Sequence, residues 1–132
     1  MMKIFVNGTF DILHRGHVEM LNYAKSIGNY LLVAIDSDRR VSELKGIHRP
    51  IYNQDDRKYL IRSLKSVDQV WVFDSDQELE NIIETYKPDV MVKGSDYRGQ
   101  PVIGQLYCKE IKFYDRTKHS TTQTIQNIIN RR

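Results

Sequence analysis

The sequence predicts an α/β fold: a doubly wound, five-stranded parallel sheet in strand order 3-2-1-4-5, covered by helices on both faces. Three observations predict it. Short apolar runs such as Ile4-Phe5-Val6 and Tyr30-Leu31-Leu32-Val33-Ala34-Ile35 read as strands buried on two faces. Segments with apolar residues at helical spacing separate one run from the next, and the connections are short. Strict alternation of this kind gives a parallel sheet with right-handed crossovers. No internal repeat or low-complexity linker interrupts the 132 residues, so residues 1–132 read as a single domain.

Taken in order, the first strand ends at Asn7-Gly8. Val18, Leu21, Ala24 and Ile27 then recur at helical spacing in a helix starting at His17, and Gly28 stands where a left-handed C-terminal cap is expected. The second strand ends at Asp36, and the polar stretch from Ser37 to Pro50 reads as a loop. Asn53 caps a helix running to about Leu64, with Asp55 and Asp56 in its favourable first turn. Val70-Trp71-Val72-Phe73 is the third strand. Leu79, Ile82, Ile83 and Tyr86 mark the next helix, stopped by Pro88. Val90-Met91-Val92, closed by Lys93-Gly94, is the fourth strand, and Ile111-Lys112-Phe113-Tyr114 is the fifth. A final helix from about Thr121 carries Ile125, Ile128 and Ile129.

Composition narrows the function. A chain of this length buries on the order of two-thirds of its unfolded surface, enough to fold without disulfides or a structural metal. The single Cys108 forms no internal bridge and excludes a Cys-rich zinc site; it lies outside every motif below and reads as an inert thiol rather than a nucleophile. The opening apolar run is too short for a signal peptide, and no stretch approaches the roughly 18 apolar residues of a membrane span. A cytoplasmic protein without a membrane partner is therefore expected. Twenty Lys and Arg against 17 Asp and Glu leave a net charge of +3, with no basic run longer than Arg39-Arg40 or Arg131-Arg132. That pattern argues against a nucleic-acid partner and for a small anionic ligand held by a few cations in one cleft.

Ligands of such sheets bind beyond the carboxyl ends of the strands, where the strand order reverses. The first loop there reads Gly8-Thr9-Phe10-Asp11-Ile12-Leu13-His14-Arg15-Gly16-His17. Gly8 and Gly16 let backbone approach a ligand, the helix start offers unpaired N–H groups to a phosphate, and two imidazoles can donate to phosphoryl oxygens. A capped helix with two surface histidines, or a histidine pair on a metal, fits the same spacing; no third metal ligand lies nearby in sequence.

This segment resembles the GTFDxxHxGH signature of the cytidylyltransferase-like nucleotidyltransferases. The resemblance implies a small Rossmann-like sheet, a homodimer, and binding and activation of a nucleoside triphosphate, with its Mg²⁺, by His14 and His17. Two branches of the family compare well with the chain, one adenylylating a heptose 1-phosphate-like sugar 1-phosphate and one making CDP-glycerol from CTP and glycerol 3-phosphate. Leu44-Lys45-Gly46 with Arg49-Pro50-Ile51, Asp56-Arg57, and Val92-Lys93-Gly94-Ser95-Asp96-Tyr97 are similar to the first branch, whose corresponding stretches read LKG, RPV and VKGGDY. ATP and a sugar 1-phosphate are accordingly the expected substrates.

By this resemblance His14, His17 and Lys45 are catalytic, Lys45 reaching the α-phosphate or incoming phosphate from the polar loop. Gly8, Thr9, Phe10 and Gly16 take the nucleotide. Lys93 and Gly94 hold the base, and Asp96 accepts from ribose hydroxyls. Asp11, Asp38 and Arg57 are candidates for the acceptor substrate, Asp38 being preferred over Asp36; Arg49 and Arg62 are further cations near this side. Arg116-Thr117-Lys118-His119-Ser120-Thr121-Thr122 is similar to the family's RTxxxSTT motif, in which Arg116, Ser120, Thr121 and Thr122 bind β- and γ-phosphates. It differs by Lys118 and His119 where the family has glycine. No residue is assigned to a protein-held metal. The rival of another class is a nucleotide-binding module that retains the pocket without turnover.

Overall fold

The apolar runs pair into a sheet in which β1 (Lys3–Gly8), β2 (Tyr30–Asp36), β3 (Gln69–Phe73), β4 (Val90–Gly94) and β5 (Glu110–Tyr114) are all parallel, in the order β3-β2-β1-β4-β5. The computed structural model describes residues 1–115 and 121–130, with side chains from residue 124 onward in the last helix. Around the sheet lie α1 (Arg15–Ser26), α2 (Asp38–Lys45), α3 (Gln54–Arg62), α4 (Asp76–Tyr86) and α5 (Thr121–Asn130). No helix among the described residues is long and apolar enough to cross a membrane.

The two faces of the sheet explain why its strands are continuously apolar. One face packs Ile4, Val6, Leu31, Val33 and Ile35 against Leu21 and Ala24 of α1 and Ile61 of α3. Phe5, Leu32, Ala34 and Met91 point the other way, against Leu79 and Ile83 of α4. Each fully buried aliphatic or aromatic side chain contributes about 1.5–3 kcal/mol, so neither face can be dispensed with. β1 is central, paired with β2 from Lys3↔Tyr30 to Gly8↔Ile35 and with β4 at Ile4↔Val90 and Phe5↔Met91. Successive strands run outward from β1 in one direction through β2 and β3, then in the other through β4 and β5. The carboxyl ends of β1 and β4 thus flank the switch point.

Three local expectations need correction. The stretch 37–50 is not all loop, because α2 forms within it: Ser37 caps the helix by accepting from the Arg40 amide at 3.2 Å, and Val41 anchors it as its buried residue. With so little apolar content the helix has no visible period. Lys45 is therefore the last residue of a helix. The first helix begins at Arg15 rather than His17, with His14 as its N-cap. Gly28 is not a left-handed cap; Ile27 is the C-cap, and a Cβ on Gly28 would sit 2.5 Å from Ile4 Cγ1 and 2.9 Å from the Met2 carbonyl. Its smallness, not its conformational freedom, is what the fold uses there.

Candidate nucleotide site

The site is built on the turn from β1 into α1. His14 is extended, and its Nδ1 accepts from the Gly16 amide at 3.1 Å, while the His14 amide donates to Nδ1 of His17 at 3.3 Å. Each imidazole is an acceptor at Nδ1, which places its proton on Nε2. The helix cap thus sets the tautomer of both histidines. Their rings stack at 3.8 Å between centroids, and Phe10 meets His17 edge-on at 5.0 Å. Phe10 holds a left-handed backbone (φ 50°) that costs a non-glycine residue on the order of 1 kcal/mol, and it presses so close that a Cβ on Gly8 would lie 3.0 Å from its ring.

α1 differs from its neighbours in charge. The first turns of α2, α3 and α4 each carry Asp or Glu, whereas that of α1 carries none. The positive end of its dipole is left for an external anion. α5 also lacks a first-turn acid.

A cleft of about 400 Å³ opens above this turn, at the carboxyl ends of β1, β2 and β4. It brings together Gly8, Thr9, Phe10, Asp11, His14, Gly16, His17, Lys45, Lys93 and Gly94 from the sequence-predicted set. Its β4 side is largely apolar, with Val92, Val102 and Ile103 beside Tyr97. On its β2 side stand Asp36, Arg40, Lys45 and Arg49. Lys93 reaches across the switch point to donate to Asn7 Oδ1 at 2.9 Å and lies 5.0 Å from the Tyr97 ring centroid. Burial pushes its ammonium below the usual lysine range, against the opposing pull of Asp36. An anion arriving there would relieve that cost.

The acceptor-side assignments come out differently. Arg57 does not face the cleft: it is fully buried beneath it, donating to the carbonyls of Tyr52, Thr9 and Asp36 and to Asp38 Oδ1 at 2.8–2.9 Å. A guanidinium so enclosed ties three loops together. Asp38 is its partner, outside the cleft lining. Asp11 borders the cleft, but its buried carboxylate accepts from Arg49 Nε at 2.8 Å and from the Ile51 and Tyr52 amides. Burial alone would raise it; those two amides and Arg49 together hold it below the ordinary carboxylate value. Asp96 is exposed in a single 3-10 turn, Ser95–Tyr97, outside the lining, and Arg62 stacks over Tyr59 away from it. Burial raises the half-buried Cys108 thiol, which weakens it as a nucleophile.

Arg116 and Ser120 lie outside the described residues. Thr121 and Thr122 open α5, their side chains outside the described set. Sequence reasoning missed Arg40 and Asn7 and preferred Asp38 to Asp36. The available signal was positional: Asp36 closes β2 at the ligand end of the sheet, and Arg40 follows it at the i,i+4 spacing of an ion pair.

Two neutral imidazoles at a helix start with no first-turn acid, in one cleft with Lys45 and Lys93, form the centre of a Rossmann-like α/β site. The chain belongs to the cytidylyltransferase-like family, whose model matches residues 5–126. It is similar to the bifunctional protein HldE of Campylobacter fetus subsp. fetus, with 47% identity over 126 residues covering 96% of this chain and 27% of that one. Against the bifunctional protein HldE of Helicobacter pylori strain Shi470 the identity is 42%, over 95% of this chain and 27% of that one. The chain thus spans about a quarter of the length of these relatives. Among solved structures, the lipopolysaccharide core biosynthesis protein of Thermoplasma volcanium superposes with a TM-score of 0.71 and 27% identity, over 87% of this chain and 98% of that one. Pantoate-beta-alanine ligase from Francisella tularensis, at 16% identity and a TM-score of 0.62, covers 98% of this chain and 69% of its own, and shares the fold.

Proposed function

We propose that this chain transfers an adenylyl group from ATP to a sugar 1-phosphate of the heptose type, forming an ADP-sugar and pyrophosphate. The observation that carries the reading is the His14/His17 cap: two Nε2–H donors fixed by backbone at a helix start with no acid of its own. The similarity to two bifunctional HldE proteins and the Val92-Lys93-Gly94-Ser95-Asp96-Tyr97 stretch support ATP and a sugar over CTP and glycerol 3-phosphate.

In this reading a phosphate oxygen of the acceptor attacks the α-phosphorus while the bond to the bridging β-oxygen breaks, and pyrophosphate leaves with that electron pair. The nucleophile is already an anion, so no general base and no covalent enzyme intermediate are required. What the protein supplies is alignment and neutralisation of charge on the five-coordinate phosphorus. His14, His17 and the α1 amides serve the phosphoryl oxygens, Lys45 serves the incoming phosphate, and Lys93 with Gly94 and the apolar β4 side serves the nucleoside. Arg116, Ser120, Thr121 and Thr122 are assigned to the β- and γ-phosphates. No group of three His, Cys, Asp or Glu side chains suited to an ion occurs among the described residues, and both cleft carboxylates are held by arginines. Mg²⁺ is accordingly taken as travelling with the triphosphate, and no step is routed through it. A cytoplasmic homodimer completes the reading.

The test is pyrophosphate release, crossing ATP, CTP, GTP and UTP against heptose and other sugar 1-phosphates and glycerol 3-phosphate. Release with ATP and a sugar 1-phosphate is expected. Release confined to CTP and glycerol 3-phosphate would replace the reading with the cytidylyl one, and nucleotide binding with no release anywhere would replace it with a non-catalytic module.

A further inference from the structure

Four cations border the cleft, and they are not equivalent. Lys45 and Lys93 have no carboxylate within ion-pair distance among the described residues, so their charge is available to phosphate. Arg49 is engaged by Asp11. Arg40 is engaged twice: Nε donates to Asp36 Oδ1 at 3.0 Å and Nη2 to Asp76 Oδ1 at 2.6 Å, with its guanidinium 5.3 Å from the Phe73 ring centroid. Thr9 Oγ1 donates to the other oxygen of Asp36 at 2.9 Å. The arginine is thereby locked in place with its charge already balanced. Its Nη1 hydrogens are taken by no group among the described residues, and it borders the cleft beside the Asp36 carboxylate, each side chain keeping a small exposed edge, 17% and 11%.

A pair of this kind is poorly suited to an anion, because Asp36 and Asp76 would repel it. It is well suited to neutral hydroxyls, which donate to a carboxylate and accept from a guanidinium at once. Its place in the cleft selects which hydroxyls. The opposite, β4 side supplies the apolar surface a base needs, and the α1 start between them takes the phosphates. The β2 side is what remains for the acceptor.

We infer that Asp36 and Arg40 form the subsite that recognises hydroxyl groups of the acceptor's sugar ring, with Thr9 fixing the Asp36 carboxylate. This rests on the sugar 1-phosphate reading above and adds to it the residues that distinguish a polyhydroxylated acceptor from a smaller one.

The experiment is steady-state kinetics of Asp36→Asn and Arg40→Gln, with folding checked by circular dichroism. In both, the KM for the sugar 1-phosphate rises about tenfold or more while the KM for the nucleotide stays within about twofold. Deoxy analogues of the sugar 1-phosphate supply the second readout: at least one costs the wild type affinity and costs the variants much less, since the hydroxyl and the side chain report one interaction. A rise in nucleotide KM instead would move the pair to the ribose and overturn the inference, as would unchanged acceptor KM in folded variants. A wild-type protein that binds nucleotide but neither binds nor uses any sugar 1-phosphate would overturn the reaction assignment itself, which the variants alone cannot do.

Discussion

Arg57 and Lys93 are both basic, both close to the switch point, and both named by sequence motifs, yet the fold treats them in opposite ways. Arg57 is fully buried and spends its donors on three carbonyls and Asp38. Lys93 has one hydrogen bond to Asn7 and no carboxylate partner among the described residues. The first is an internal fastening for the loops after β1 and β2, and the second is a cleft-lining charge that the proposed reading gives to a ligand. A cation in a binding motif therefore says little about contact with substrate until its partners are counted. The comparison is broken most directly at Arg57. Arg57→Met would strand the Tyr52, Thr9 and Asp36 carbonyls and remove the partner of the part-exposed Asp38 carboxylate, and each buried acceptor left unpaired costs about 1–3 kcal/mol. A fall in thermal midpoint of roughly 10 °C or more is expected. A variant with wild-type stability and a raised acceptor KM would instead return Arg57 to the substrate.

His14 and His17 stand between these extremes, since each is fastened at Nδ1 and, on the proposed reading, donates from Nε2. Losing a transition-state donor costs on the order of 10²-fold or more in turnover, whereas losing a helix cap costs only about 0.5–2 kcal/mol of stability. His14→Ala and His17→Ala are thus expected to remain folded at 25 °C, with kcat reduced on the order of 10²-fold. A kcat change below about fivefold in either would leave the pair with a capping role alone.

The legible parts of the molecule are those where pattern and packing coincide. Ile4-Phe5-Val6 and Leu31 to Ile35 read as strands because both faces of the sheet are covered, and their alternation with helices made the sheet parallel. α2 was hidden because one buried valine and a serine cap suffice to hold it. Gly8, His14, Gly16 and His17 line one cleft, as their places within the ten residues from Gly8 to His17, leading from β1 into α1, suggest. The β2 side of the cleft was not legible, because Arg57, 19 residues from Asp38, engages the Asp38 side chain but only the backbone carbonyl of Asp36, which lines the cleft. The same long-range bonding makes the cleft-lining Asp11 the clamp on the Arg49 to Tyr52 segment.

Lys93 gives the smallest effect and the sharpest test of the comparison, because a ligand-directed charge should cost the free protein something. Its folded-state pKa is lowered below 10.5, chiefly by burial, with Asp36 opposing. Between that lowered value and the unfolded one the unfolded chain binds more protons, so stability rises with pH across that window and the cost is fully present below it. Lys93→Met lacks this rise. At pH 7 the variant should therefore unfold no lower in urea than the wild type, and the wild type should gain on it as the pH approaches 10.5. Over the same comparison the nucleotide KM of Lys93→Met should increase by about tenfold, the usual scale for one charge-assisted hydrogen bond. Arg57→Met behaves in the reverse manner, losing stability first and activity only as a consequence. A Lys93→Met protein that is less stable at pH 7 and binds nucleotide normally would make Lys93 a second Arg57, held for Asn7 and the fold rather than for the phosphate or base.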